Sequence, residues 1–298
     1  MPDLSSADSK DEPATEELEP GGAGGASLGG ASFDALGFTR EEIEAAALEG
    51  RQVAGRLDDP TALRLLQVGE ISVIGRLLSA SNGTFFCLVD GPSAGRDRAL
   101  TATCVYKPIR GERPLIDFPD GSLACRELGA YGVSVASGWD IVPPTVMRDG
   151  PLGPGMVQLW VEVDPSVDVV ELARLDLPEL RRIAVLDAVL NNADRKGGHL
   201  LPLEGGRIQA IDNGLCFSVE PKLRTILWRW RGARFNEDEV AVLQRLRVAL
   251  AGGLGAELRE LLAPDEVRAT AGRIDALLSR GRFPIPDRNR QAIPWPPF

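Results

Sequence analysis

Two short segments near the middle of the chain carry carboxylates in a setting suited to phosphate chemistry. NNADRKGGH, residues 191–199, contains Asp194, and the later segment AIDNG contains Asp212. The apolar runs 200–203 and 207–211, joined by Glu-Gly-Gly, predict a strand-turn-strand hairpin between the two segments. Because the two ends of a hairpin meet, we expect both carboxylates to lie at its mouth.

This pair of carboxylates fits the needs of one class of reaction. One carboxylate can orient or deprotonate a hydroxyl, while the other holds a divalent cation. Transfer of a phosphoryl group from ATP uses that division of labour. His199, the only histidine in the chain, lies between the two aspartates and is a further candidate for the same site.

Both segments resemble those of a known group of kinases. AIDNGLCF, residues 210–217, resembles the metal-binding segment of type II phosphatidylinositol 4-kinases. NNADRKGGH resembles the catalytic loop of the wider phosphatidylinositol 3-/4-kinase-like superfamily, which includes the HipA-like kinases, and the chain as a whole resembles an actinobacterial branch of it. The resemblance covers roughly residues 68–232. It implies a two-lobed, protein-kinase-like α+β fold with a β-rich N-lobe and a mainly helical C-lobe, and ATP and Mg²⁺ or Mn²⁺ as cofactors.

The resemblance also implies roles for individual residues. Asp194 is expected to be the catalytic base or the group that orients the acceptor hydroxyl, and Lys196 to neutralise charge on the transferred phosphoryl group. Arg195 belongs either to substrate contact or to an ion pair within the loop. Asp212 is expected to bind the metal that bridges the β- and γ-phosphates.

His199 departs from the pattern of the superfamily, which has an asparagine as second metal ligand at this position. An imidazole ligand suits Mn²⁺ better than Mg²⁺, which prefers oxygen. Two other roles stay open for His199, namely a cationic donor that faces phosphate and a structural side chain.

Period-two patterning predicts three strands in residues 70–106, followed by a lysine. The resemblance implies that the turn between the first two strands covers the ATP phosphates with backbone N–H groups, although an ordinary hairpin turn explains it equally well. That turn consists of Ser81, Asn82, Gly83 and Thr84. Lys107 ends the third strand and is expected to contact the α- and β-phosphates. Its predicted partner is Glu127, in a helix over residues 122–137, with Glu112 of the preceding loop as the competitor.

Two more strands, over residues 141–146 and 156–163, are predicted to complete the N-lobe. The resemblance makes the end of the second one a hinge that meets adenine through backbone groups. The hinge candidates are Leu159, Trp160 and Val161, and Trp160 fits the hydrophobic core equally well.

The chain divides into five parts by composition and periodicity. These are a disordered acidic tail (1–33), N-terminal helices (34–67), the kinase-like N-lobe (68–163), the helical C-lobe (164–282) and a Pro-rich tail (283–298). Helices are predicted to start at Thr39 and at Asp59, and in the C-lobe over residues 178–190, 236–251 and 264–279. The Pro-rich tail is expected to wrap the surface in an extended conformation.

Charge and composition restrict the partners. Of the formal net charge of −10, residues 1–20 carry −6, so acidity belongs mostly to the tail, and nucleic acid is not an expected partner. We see no signal peptide and no membrane-spanning run, which predicts a cytoplasmic protein. Trp-Arg-Trp-Arg at 228–231 either touches an anionic membrane surface or belongs to the core. The four cysteines are expected to be reduced core thiols.

Two classes of function follow from the sequence. The first is an ATP-dependent phosphotransferase that acts on a hydroxyl of a lipid head group, a protein or a small molecule. The alternatives are a nucleotide-binding pseudokinase or regulatory module without transfer activity, and a nucleotidyl transferase. The sequence does not choose among the acceptors.

Overall fold

A computed structural model describes residues 57–77, 80–91 and 100–298, together with the backbone of residues 52–53. The predicted disordered tail and the helix predicted to start at Thr39 lie outside the described residues. The predicted fold class is confirmed: a sheet-rich N-lobe precedes a mainly helical C-lobe, in a protein-kinase-like α+β arrangement.

The N-lobe is built on an antiparallel sheet in the order β2-β3-β4-β6-β5, with a two-residue strand, β1, parallel to β4. Its elements are β1 (Gln52–Val53), α1 (Asp59–Val68), β2 (Glu70–Arg76), β3 (Phe85–Asp90), β4 (Leu100–Pro108), α2 (Leu123–Ser137), β5 (Thr145–Gly150) and β6 (Gly153–Leu159). Helix α1 starts as expected, because the Asp58 side chain accepts a hydrogen bond from the Thr61 N–H at 2.9 Å. Leu65 and Leu66 of α1 pack on buried residues of β3 and β4.

The last two strands of the sheet begin and end at other residues than predicted. The strand expected at 141–146 starts only at Thr145, because Pro143 and Pro144 have no N–H to donate to a ladder. The carbonyl of Ile141 instead accepts a hydrogen bond from the Ala210 N–H of the C-lobe, at 2.7 Å. The strand expected at 156–163 runs over Gly153–Leu159, so the predicted hinge residues start at its last position.

The C-lobe consists of helices around one large hydrophobic core, to which α2 also contributes. Its elements are α3 (Val169–Leu172), α4 (Pro178–Leu190), β7 (Leu200–Pro202), β8 (Ile208–Ala210), α5 (Glu237–Ala251), α6 (Gly253–Leu261) and α7 (Pro264–Arg280). Helix α4 has the predicted bounds and ends at Asn191, whose φ of 55° turns the chain out of the helix. Strands β7 and β8 pair antiparallel, which confirms the hairpin between the two aspartates.

Trp230 and three of the cysteines lie in the core as expected, whereas Trp228 and Cys125 are only half-buried. Trp230 is buried in the C-lobe, where its indole N–H donates to Asp176 Oδ1 at 2.8 Å. Trp228 is half-buried and donates to the Ala292 carbonyl at 2.8 Å. All four cysteines lie within the described residues and are free thiols. No helix in the described part of the chain is long and apolar enough to cross a membrane.

Candidate active site

Lys107 joins the two lobes through two carboxylates. Its Nζ lies 2.6 Å from Glu127 Oε1 of α2 and 2.9 Å from Asp212 Oδ1, just after β8. Burial by itself lowers the pKa of Lys107, but the negative charges of Asp212 and Glu127 outweigh it and raise the pKa above its ordinary value. The lysine is therefore a fixed cation, held in an extended conformation between a sheet strand and the helical lobe.

Glu127 is the partner of Lys107, as predicted. Its side chain is 2% exposed, and its second carboxylate oxygen accepts a hydrogen bond from the Asn213 N–H at 2.8 Å. The competitor Glu112 has another task. Its carboxylate accepts the N–H groups of Leu123 and Ala124, at 3.0 and 2.8 Å, and so caps the first turn of α2.

Two asparagines, Asn191 and Asn192, brace the loop at residues 191–199. Asn191 donates to the carbonyls of Ser218 and Glu220, at 2.9 and 2.7 Å. The Asn192 side chain accepts from the Asp194 N–H at 2.9 Å and donates to Asp187 Oδ1 at 3.1 Å. These bonds fix the backbone on which Asp194 stands.

The structure favours the loop ion pair as the role of Arg195. Both Arg195 and Asp187 are fully buried, and the guanidinium lies 3.0 Å from Asp187 Oδ1. The guanidinium also donates to the Ile211 carbonyl and to Asn213 Oδ1, each at 2.6 Å. Since all of these partners are protein groups, Arg195 ties the catalytic loop to the Asp212 segment and is shielded from substrate.

Removing one charge of this buried pair is expected to destabilise the fold. Asp187→Asn leaves the Arg195 cation buried without its counter-ion, and this costs about 3 kcal/mol or more of unfolding free energy. Urea unfolding measures the loss, with Asp275→Asn as control, because Asp275 pairs with Arg247 on the surface. A loss for Asp187→Asn no larger than that of the control would contradict the assignment.

Asp194 lies beside Lys196 at the mouth of the hairpin. Asp194 Oδ2 is 3.2 Å from Lys196 Nζ, and each side chain is about one quarter exposed. Burial raises the pKa of Asp194 above its ordinary value, with a further increase from Asp212, although Lys196 opposes both. A carboxylate with a raised pKa is a better proton acceptor than an ordinary aspartate.

Asp212 stands on strained backbone at the end of the hairpin. Its φ is 60°, in the left-handed region that few non-glycine residues adopt. Its side chain is 47% exposed, and the cation of Lys107 holds its pKa well below the ordinary value. Asp212 is therefore an ionised carboxylate that remains open to solvent and ligands.

His199 contacts Asp212 directly, with Nε2 3.2 Å from Asp212 Oδ2. Its Nδ1 accepts a hydrogen bond from the Lys196 N–H at 3.4 Å. An accepting Nδ1 leaves the proton on Nε2, so the neutral ring donates to Asp212. Burial lowers the pKa of His199 to about 4, with Asp212 opposing the shift. This arrangement favours a structural role that orients Asp212, over both a metal ligand and a cationic donor.

The neutral state of His199 makes folding stability depend on pH. The unfolded chain binds a proton at His199 below about pH 6.5, whereas the folded chain does so only near pH 4, so stability falls as pH falls through this window. Compared with His199→Asn, the wild type is expected to lose about 2 kcal/mol more between pH 7 and pH 5. Urea unfolding at both pH values measures the difference. Parallel losses in the two proteins would show that His199 is charged in the fold.

The donor set suits a hard divalent cation bound jointly with a ligand. Mg²⁺ is commonly bound by one or two carboxylates together with substrate phosphates and water. Asp212 supplies an exposed, ionised carboxylate of this kind. Within residues 57–77, 80–91 and 100–298, no three His, Cys, Asp or Glu side chains are grouped to hold a metal by themselves. The protein therefore offers a partial site that a phosphate ligand would complete.

The predicted phosphate turn is tied to the loop that follows β4. The Gly83 N–H donates to the Gly111 carbonyl at 2.7 Å, and Asn82 Oδ1 accepts from the Arg113 N–H at 3.0 Å. Ser81 and Thr84 flank these contacts, and Thr84 is buried. A phosphate role for the turn remains a prediction that requires the Gly83 N–H to exchange partners.

The predicted hinge lies where β6 leaves the sheet. The Leu159 N–H donates to the Pro144 carbonyl at 2.9 Å, and the Trp160 N–H to the Thr103 carbonyl at 3.0 Å. The Trp160 ring packs edge-on against Phe86 with centroids 5.0 Å apart. Val161 follows and is half-buried. An adenine contact by these residues stays a prediction.

Three features of the site were not predicted from the sequence. They are the cap that Glu112 forms on α2, the choice of Asp187 in helix α4 as the partner of Arg195, and the approach of residues 297 and 298 to Gly197. For the pairing of Arg195 with Asp187, the one available signal was an aspartate on the inward face of the buried helix α4. The sequence held no signal for the third.

This fold and site define a kinase-like protein. A Lys–Glu pair links the sheet to helix α2, and two aspartates flank a hairpin in the helical lobe, close enough that the charge of Asp212 raises the pKa of Asp194. The chain belongs to the family of the Mycobacterium tuberculosis protein Rv2133c, to which it is 42% identical over 276 residues that cover 81% of this chain and 96% of that protein.

Two more distant similarities are to proteins described as kinases. Phosphatidylinositol 4-kinase gamma 4 of Oryza sativa subsp. japonica is 29% identical over 148 residues, which cover 42% of this chain and 26% of that kinase. The crystal structure of the Helicobacter pylori proinflammatory kinase CtkA has a TM-score of 0.45 and 12% sequence identity, over 72% of this chain and 97% of that one. No protein-family profile matches the chain.

Proposed function

We propose that the protein is an ATP-dependent phosphotransferase of the phosphatidylinositol 3-/4-kinase-like type, which transfers the γ-phosphoryl group to a hydroxyl of a lipid head group, a protein or a small molecule. One observation carries the proposal. Lys107 is a fixed cation between Glu127 and Asp212, which directly follows the β7–β8 hairpin, and the Asp194–Lys196 pair directly precedes the same hairpin. The similarity to a rice phosphatidylinositol 4-kinase supports it.

The residues divide the work between donor and acceptor. Lys107 would bind the α- and β-phosphates of ATP, and Asp212 would hold Mg²⁺ or Mn²⁺, which when bound neutralises phosphate charge. Asp194 accepts the proton of the acceptor hydroxyl, while the oxygen of that hydroxyl forms a bond to the γ-phosphorus. The bond from that phosphorus to the β–γ bridging oxygen breaks, and ADP leaves. Lys196, next to Asp194, stabilises the charge that develops on the transferred group.

The position of the label separates this function from its alternatives. The protein is incubated with cell lysate, Mg²⁺ or Mn²⁺, and ATP labelled in either the γ- or the α-phosphate. Phosphotransfer predicts a product labelled only from γ-labelled ATP, which is lost in Asp194→Asn and kept in Asp275→Asn. A product labelled from the α-phosphate would show a nucleotidyl transferase. ATP-induced stabilisation without any labelled product would show a nucleotide-binding module.

A further inference from the structure

Residues 283–298 form a strap that runs from the end of α7 across the C-lobe to the catalytic loop. The strap starts at Phe283, which is buried in the core, and its Ala292 carbonyl accepts the Thr225 N–H at 3.0 Å. Farther along, the Pro297 carbonyl accepts the Gly197 N–H at 2.8 Å. Both bonds use only backbone groups. The tail lies along the surface of the C-lobe, as predicted, but it is not extended throughout, because the chain turns at residues 288–290.

The end of the strap lies on the catalytic loop itself. Gly197 directly follows Lys196, and a Cβ added at Gly197 would lie 2.0 Å from Cδ1 of Phe298. The ring of Phe298 is therefore packed against the glycine backbone, and Gly197 is buried beneath it. The strap covers the loop only three residues from Asp194.

Two of the backbone N–H groups that hold the strap, those of Gly197 and Thr225, belong to adjacent pieces of chain, and the Trp228 indole N–H also donates to the Ala292 carbonyl. The Arg195 N–H donates to the Arg224 carbonyl at 3.1 Å, and the Ile226 N–H donates to the Arg195 carbonyl at 3.2 Å. The segments at 195–197 and 224–226 thus lie side by side beneath the strap, and their shared surface, called the groove below, presents N–H groups to that chain. Backbone bonds of this kind are how proteins bind extended peptides of varied sequence.

The strap has no side-chain hydroxyl to which a kinase could transfer a phosphoryl group. Residues 283–298, FPIPDRNRQAIPWPPF, contain no serine, threonine or tyrosine. A segment that is bonded to Gly197, three residues after Asp194, and lacks a hydroxyl would exclude acceptors from this surface without reacting.

We propose that the groove along Gly197 and Thr225 binds an extended polypeptide that carries the acceptor hydroxyl, and that residues 292–298 occupy it as a competitor without a hydroxyl. The identity of the acceptor rests on the proposed function, whereas occupation of the groove by the strap does not. A tethered segment has an effective concentration in the millimolar range, so the strap keeps the groove mostly filled even if it binds weakly.

Phe298→Ala in the full chain tests the docking, with Trp295→Ala as a matched control. Both are aromatic residues of the strap, but Trp295 is 82% exposed, while Phe298 packs on the catalytic loop. Hydrogen exchange of the Gly197 amide is expected to become at least about tenfold faster in Phe298→Ala and to stay unchanged in the control. A synthetic peptide of residues 289–298, added to Phe298→Ala, should slow the hydrogen exchange of the Gly197 amide again. Equal exchange in the two variants, or no effect of the peptide, would overturn the proposal.

Transfer assays test the acceptor. A degenerate peptide mixture with a central Ser, Thr or Tyr and, separately, phosphatidylinositol vesicles are incubated with γ-labelled ATP. Phe298→Ala is expected to label the peptides about tenfold faster than wild type. Labelling of vesicles alone, or equal peptide labelling by both proteins, would overturn the polypeptide assignment. If no variant labels any substrate, the proposed phosphotransfer fails. Peptide binding is then tested by hydrogen exchange alone: the degenerate peptides should slow exchange of the Gly197 amide in Phe298→Ala, and no slowing would overturn the proposal.

Discussion

Asp194→Asn is expected to slow transfer of the γ-phosphate by about 10³-fold, because a carboxamide keeps the shape of the side chain but takes no proton. The Asp194 N–H bond to Asn192 is made by the backbone and survives the substitution. Lys107 and Asp212, which are proposed to bind ATP and its metal ion, are also unchanged. The apparent affinity for ATP, derived from the thermal stabilisation that ATP causes, should therefore stay within a few-fold of the wild-type value. Single-turnover transfer and thermal shift with ATP measure the two effects separately.

Asp275→Asn is the matched control for this substitution. It removes the same charge from a surface pair with Arg247 and should leave both measurements unchanged. Turnover by Asp194→Asn equal to that of wild type would refute the role of Asp194. Loss of ATP-induced stabilisation in Asp194→Asn would instead place the aspartate on the nucleotide.

Lys107→Met is expected to weaken ATP binding about 10- to 100-fold, which is the loss of one charge-assisted contact to phosphate. It should also lower the unfolding free energy by about 3 kcal/mol, because Glu127 stays buried without its cation. The methionine retains most of the apolar stem of the lysine, so that cavity effects are small. Thermal shift against ATP with Mg²⁺, and urea unfolding without ATP, measure the two losses.

Lys222→Met serves as the control for Lys107→Met. Lys222 is similarly shielded and pairs with Asp117 at 2.6 Å, but it lies outside the Lys107–Glu127–Asp212 cluster. Its replacement should leave ATP affinity unchanged. If ATP stabilises Lys107→Met as strongly as it stabilises Lys222→Met, the nucleotide site has been assigned to the wrong part of the fold.

Local signals in the sequence account for much of the fold. Helix α4 has the predicted bounds because a proline at its first position and regular apolar spacing both act within the helix itself. The hairpin was predicted because its turn and strands are contiguous. The start of the strand predicted at residue 141 was wrong, because Ile141 accepts a hydrogen bond from Ala210 of the C-lobe and the strand begins only after Pro143 and Pro144.

The candidate site was predicted less completely, since its second layer of contacts is long-range. Glu127 was chosen over Glu112 because a helix positions a side chain better than a loop, and the structure pairs it with Lys107. The neutral ring of His199 follows from burial and from its bond to the Lys196 N–H, neither of which sequence spacing reveals. The bond from Gly197 to Pro297 joins residues 100 positions apart and depends on the whole C-lobe.

The glutamate cap on α2 connects the predicted phosphate turn to the Lys107 pair through a short series of contacts. The Gly83 N–H is bonded to the Gly111 carbonyl, the carboxylate of the next residue, Glu112, accepts the first N–H groups of α2, and Glu127 lies about one turn farther along this helix. If the turn binds phosphate as predicted, the Gly83 N–H must leave Gly111, and we expect this exchange to shift the start of α2 and the position of Glu127 relative to Lys107.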